Sequence, residues 1–99
     1  MENPRILIVD DEPNIRDLLT TSLRFSGFSV QAVGNGAAAI SAVLAEEPDL
    51  IVLDVMLPDM NGFSVTKRLR SAGYTAQILL LTENDDTQDK ITCLTVGGD

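Results

Sequence analysis

The chain has 99 residues, 44% apolar and 22% charged, and its 15 acidic against 7 basic side chains give a net charge of −8. That length holds one domain, residues 1–99, with one core. The acidity opposes direct nucleic-acid binding, which depends on neutralising phosphates, and no apolar run approaches the ~18 residues of a membrane span. Arg5 is followed by only four apolar residues before Asp10, so no signal peptide opens the chain and a cytoplasmic protein without membrane contact is expected. One cysteine, Cys93, and no histidine leave too few soft ligands for zinc, whereas many carboxylates suit a hard divalent cation.

Arg5 to Asp10 is an apolar run ending in an acid, and Asp11-Glu12-Pro13 follows with a proline suited to the first turn of a helix. Ile15, Leu19 and Leu23 then recur at helical spacing until Gly27 supplies a stop. Phe28 to Val33 alternates apolar and polar residues, the pattern of an edge strand. Asn35-Gly36 is a hairpin signal in isolation, but Ala39, Ile40, Val43 and Leu44 continue with helical periodicity, and Pro48 closes that helix.

Leu50 to Leu57 is apolar at every position but one, which predicts a strand covered on both faces, with the exception, Asp54, at its tip. After a turn at Pro58 to Gly62, the residues Phe63, Val65 and Leu69 mark a third helix with a basic outer side. Ala76 to Thr82 is a fourth apolar strand, again ending in a polar residue. Asp85 to Val96 reads as a fourth, shorter helix stopped by Gly97-Gly98. Alternating strands and helices imply an α/β fold with a doubly wound parallel sheet. With no fifth strand before Asp99, Leu79 to Leu81 is expected to form an open apolar edge, inviting a homodimer or a swapped oligomer.

Ligands of such sheets bind at the carboxyl ends of the strands. If the first and third strands are neighbours, Asp10, Asp11 and Asp54 converge there, and their mutual repulsion calls for a cation. Mg2+ takes oxygen ligands from one or two carboxylates plus water and phosphate oxygens. Thr82, ending the next strand, offers a hydroxyl to an anion on the far side of the metal. A carboxylate beside Mg2+ can act as a nucleophile toward a phosphoryl group, and Asp54 is the candidate because it stands apart from the acid pair.

These residues resemble the receiver domain of a two-component response regulator through Asp10-Asp11-Glu12, the strand ending in Asp54, the stretch Met56-Leu57-Pro58-Asp59-Met60-Asn61-Gly62, and Leu81-Thr82. The resemblance implies a flavodoxin-like sheet of order 2-1-3-4-5. It also implies that Asp54 accepts a phosphoryl group from the phosphohistidine of a sensor histidine kinase. Asp11 would ligate Mg2+ directly, Asp10 mainly through water, and Met56 through its backbone carbonyl, while Thr82 would be the switch hydroxyl. The output implied is transcription through a C-terminal DNA-binding domain not present in these residues.

The family's lysine and switch aromatic, on or beside the fifth strand, are absent, and Lys90 in the expected fourth helix is a poor substitute. The domain is therefore expected to be incomplete at its C-terminus. Two other classes remain. A phosphatase forming its own aspartyl phosphate would carry Asp-x-Asp-x-Thr after the first strand, where this chain has Asp10-Asp11-Glu12-Pro13-Asn14. A phosphorylation-independent interaction domain on the same fold would lose acids that are all present. On the first helix, Leu18 falls to the side of the Ile15, Leu19 and Leu23 stripe at about 100° per residue, together with Asn14 and Thr21. These three border the acid pair, and the resembled family docks its kinase there.

Overall fold

A computed structural model describes residues 3–84 and 90–96, with side-chain environments for residues 3–81. The elements run β1 (Arg5–Val9), α1 (Pro13–Phe25), β2 (Ser29–Val33), α2 (Gly36–Ala45), β3 (Leu50–Asp54), α3 (Gly62–Ser71), β4 (Gln77–Asn84) and β5 (Lys90–Val96). They form one sheet of order β2-β1-β3-β4-β5, in which the first four strands are parallel and β5 is antiparallel to β4.

The period-two alternation of a strand divides the core between two faces. Leu7, Val9, Ile51, Leu53, Ile78 and Leu80 join Ala39 and Val43 of α2 and Val65 and Leu69 of α3 in one buried cluster. Ile6 and Ile8, alternating with these, are buried on the opposite face, where α1 packs over β1 and β2. Each fully buried aliphatic side chain stabilises the fold by about 1.5–3 kcal/mol relative to exposure. Loops at the amino ends of the strands are tied as well: the Asp49 amide donates to the Arg5 carbonyl at 2.8 Å, and the Arg5 amide donates to Asp49 Oδ2 at 2.8 Å.

The helices use less of their apolar surface than their periodicity suggests. No residue of α1 is fully buried, and Ile15, Leu19 and Leu23 are half-buried. Phe63 is 49% exposed, and the buried positions of α3 are Gly62, Val65, Thr66 and Leu69. Thr66 is accommodated because its hydroxyl donates to the Gly62 carbonyl one turn back, at 3.0 Å.

The expected fourth helix is not formed over residues 90–96, which are strand β5; residues 85–89 of that expectation lie outside the described residues. The segment Ile91-Thr92-Cys93-Leu94-Thr95-Val96 holds four β-branched residues, which favour a pleated strand over a helix. The open apolar edge of β4 completes the preference, since Ile78 to Asn84 pair in register with Val96 to Lys90. The edge expected at Leu79 to Leu81 is thus paired within the chain, and an oligomer through it has no exposed edge to use. Lys90 opens β5 opposite Asn84 instead of lying in a helix.

Candidate functional site

β1 and β3 are adjacent and in register, Val9 facing Leu53, so that both deliver an acid to the same end of the sheet. Asp10 follows β1 and its amide donates to the Val33 carbonyl at 3.1 Å, while Asp54 is the last residue of β3 and pairs with Leu81. Carboxylate oxygens of Asp10, Asp11 and Asp54 lie within 4.8 Å of one another. Asp10 is buried, at 7% exposure, Asp54 is half-buried and Asp11 is exposed.

Two like charges at such a separation repel by on the order of 3 kcal/mol at an effective dielectric of 20, less where Asp11 meets water. Burial is the larger burden on Asp10 and raises its pKa, and the neighbouring Asp11 raises it further. Two features oppose the rise. The Glu12 amide donates to Asp10 Oδ1 at 2.9 Å, and the charge of Arg16 lies nearby. The Arg16 guanidinium reaches back from α1 and donates through Nη1 to the Asp10 carbonyl at 2.8 Å. Sequence reasoning passed over Arg16; a cation one turn into the helix that follows an acid pair was the available signal.

The loop after β3 folds back on itself. The Val55 amide donates to the Leu81 carbonyl at 3.1 Å, the Met56 amide to Asp54 Oδ1 at 3.1 Å, and Met56 bridges Asn61. Asn61 Oδ1 then accepts from the amides of Phe63 and Ser64 and starts α3. Gly62 is required at this closure, because a Cβ there would lie 2.7 Å from the Asp54 carbonyl oxygen and 2.9 Å from Val55 Cα. The Met56 side chain is 73% exposed.

Of the residues singled out in the sequence, Asp10, Asp11 and Asp54 are brought together. Thr82 has its backbone in β4, one residue beyond the Leu81 that pairs with Asp54, and its side chain lies outside the described residues. Asn14, Leu18 and Thr21 are all exposed on α1, Leu18 at 62%. A cleft of about 190 Å³ bordered by Arg5, Ser29, Ala42 and Pro48 lies at the other end of the strands and shares no residue with the acids.

The three carboxylates offer hard oxygen donors, the ligand type of Mg2+ and Ca2+, and no helix among the described residues is long and apolar enough to cross a membrane. Residues 6–99 match the family model of the response regulator receiver domain. The chain belongs to this family. The receiver domain is 45% identical over 94 residues to the probable transcriptional regulatory protein TcrX of Mycobacterium tuberculosis, covering 95% of this chain and 40% of that protein. It is also 45% identical over 95 residues to the regulatory protein VanRc of Enterococcus gallinarum, covering 96% of this chain and 41% of that protein. The chain therefore spans about 40% of the length of these curated relatives.

Among solved structures, the receiver domain is similar to the response regulator TrrA of Thermotoga maritima in complex with Mg(2+)-BeF. The TM-score is 0.75 and the identity 39%, over 80% of this chain and 69% of that one. A second TrrA structure, in complex with the histidine kinase ThkA, matches with a TM-score of 0.74 and 39% identity over 80% and 68% of the two chains. The receiver fold follows from family membership.

Proposed function

We propose that Asp54 is the residue phosphorylated in this receiver domain, with Mg2+ held by Asp10, Asp11, Asp54 and the backbone carbonyl of Met56. The observation that carries the reading is the convergence of three carboxylates at the ends of β1 and β3, with Asp54 placed by the strand itself. When bound, Mg2+ neutralises the charge of the carboxylates and of the incoming phosphoryl oxygens. Its fit rests on the donor set, which is all oxygen.

An Asp54 carboxylate oxygen attacks phosphorus in line, the P–N bond of the kinase's phosphohistidine breaks, and the imidazole leaves with its electron pair and takes up a proton. The rigid ends of β3 and its loop hold the nucleophile in place, and the Met56 amide orients it. Thr82 supplies a hydroxyl to the phosphoryl oxygens, and Asn14, Leu18 and Thr21 form the docking face for the kinase. The TrrA complexes with Mg(2+)-BeF and with ThkA support the cation and the partner. The output is transcription, by likeness to TcrX, and any DNA contact belongs to other parts of a longer protein.

Transfer from an autophosphorylated histidine kinase domain tests the assignment. Asp54→Asn abolishes acquisition of an acid-labile phosphoryl group, while Glu46→Gln, which changes an exposed acid at the other end of the sheet, retains it. Labelling of Asp54→Asn at the parent's rate would contradict the proposal.

A further inference from the structure

The β3–α3 loop is held from one further direction that the acid cluster does not explain. Asp59 stands midway along the loop, far in sequence from α2, yet its carboxylate spans the first turn of that helix. Gly36 donates its amide to Oδ1 at 2.8 Å and Ala37 donates to Oδ2 at 2.9 Å. These are amides that an α-helix leaves without an internal partner. The helix's own cap, Asn35, takes only the Ala38 amide, at 2.8 Å, so the two caps divide the turn between them. The two amide bonds hold the Asp59 carboxyl below the usual carboxylate range, as expected of an ionised acceptor at a helix N-terminus.

A second tie lies next to it. A Cβ at Gly36 would come within 2.5 Å of Met60 Cγ and 2.8 Å of Met60 Sδ, so the methionine is pressed against the helix backbone at this point. Met60 also packs against the buried core. The residues between the Met56–Asn61 bridge are therefore fixed at Asp59 and Met60 to α2, and at Asn61 to α3. Met56, whose amide contacts Asp54, stands at the base of this clasped loop.

We infer that Asp59 is a positioning residue for the acidic site: by clasping the first turn of α2 it holds the loop that presents Met56 beside Asp54, and so sets the affinity of the site for Mg2+. This rests on the reading of Asp10, Asp11 and Asp54 as the Mg2+ site. Asp59 directs its carboxylate hydrogen bonds to the first turn of α2. It acts through the geometry of residues 55–61, as groups behind a metal's direct ligands commonly do.

Calorimetric titration of the whole chain with MgCl2, without any phosphodonor, tests the inference alongside melting curves. Asp59→Ala, and the milder Asp59→Asn should the first fail to fold, raise the dissociation constant about tenfold, within the range typical of such supporting residues. Asn35→Ala removes the other cap of the same turn without touching the loop, and it lowers the melting temperature while leaving Mg2+ affinity at the parent's value. Parental affinity in both Asp59 variants, with Asp11→Ala weakened, would overturn the inference and leave the site standing. Equal weakening in Asn35→Ala would also overturn it, by reducing Asp59 to a helix cap. Absence of Mg2+ binding in the parent, or parental affinity in Asp11→Ala, would remove the site itself.

Discussion

Asp10 carries two opposed demands, since its carboxylate is buried for a cation yet is costly to ionise without one. Its pKa stands above the ordinary 3.8, chiefly through burial. Between that ordinary value and the raised one, the folded chain binds more protons than the unfolded chain, so stability without metal falls as pH rises through this window. Asp10→Asn keeps an acceptor for the Glu12 amide and removes the charge. The metal-free variant is expected to melt at or above the parent's temperature at neutral pH, and to lose the parent's gain with MgCl2, about 2.7 kcal/mol at a hundredfold excess over the dissociation constant.

Tyr74 gives an alkaline counterpart on the far side of the molecule. Its hydroxyl donates to the Pro48 carbonyl at 2.8 Å, and burial pushes its pKa up to about 12 from 10.0. The folded state keeps this proton where the unfolded state loses it, so stability drops as pH rises from 10.0 toward about 12. Tyr74→Phe flattens that limb of a denaturation-against-pH profile. At neutral pH it costs about 1–2 kcal/mol by leaving the Pro48 carbonyl without its donor.

At the scale of elements, α1 is the least buried helix, and its exposure bears on the docking proposal. Leu18 contributes little to the core at 62% exposure. Leu18→Ala is expected to shift stability by less than about 1 kcal/mol, to slow transfer from the cognate kinase, and to leave acetyl phosphate labelling unchanged. A loss of 2–5 kcal/mol, the range of a core leucine truncation, would assign it to packing instead. β1, β3 and β4 were legible because continuous apolar runs admit few readings other than strands buried on both faces, and two of those runs carried their acid with them. β5 was not. The glycine pair after Val96 imitated a helix stop, and only the tertiary demand of the β4 edge, invisible along the chain, decides for a strand. Phe63 shows the same limit, since the helical stripe was read correctly but its rotation on the sheet placed Thr66 inside and Phe63 half out. The role of Asp59 was hidden for a different reason: an acid after Pro58 reads as a turn residue, and its partners Gly36 and Ala37 are remote in sequence.

Across the whole molecule, parallel pairing of β1 with β3 is what makes the site, because no local segment contains more than two of its three acids. The sheet supplies the placement, the loops supply the hydrogen bonds, and the acidic balance of the chain opposes direct nucleic-acid contact by these residues. The central claim is that Asp54 takes up the phosphoryl group when Mg2+ is present. The most direct measurement treats the chain with acetyl phosphate, with and without MgCl2, reduces it with borohydride, and sequences the peptide spanning β3 by mass spectrometry. Reduction converts an aspartyl phosphate to homoserine. Homoserine at position 54, formed only with MgCl2, is the predicted result; homoserine at Asp10 or Asp11, or none at any acid in a chain that binds Mg2+, would contradict it.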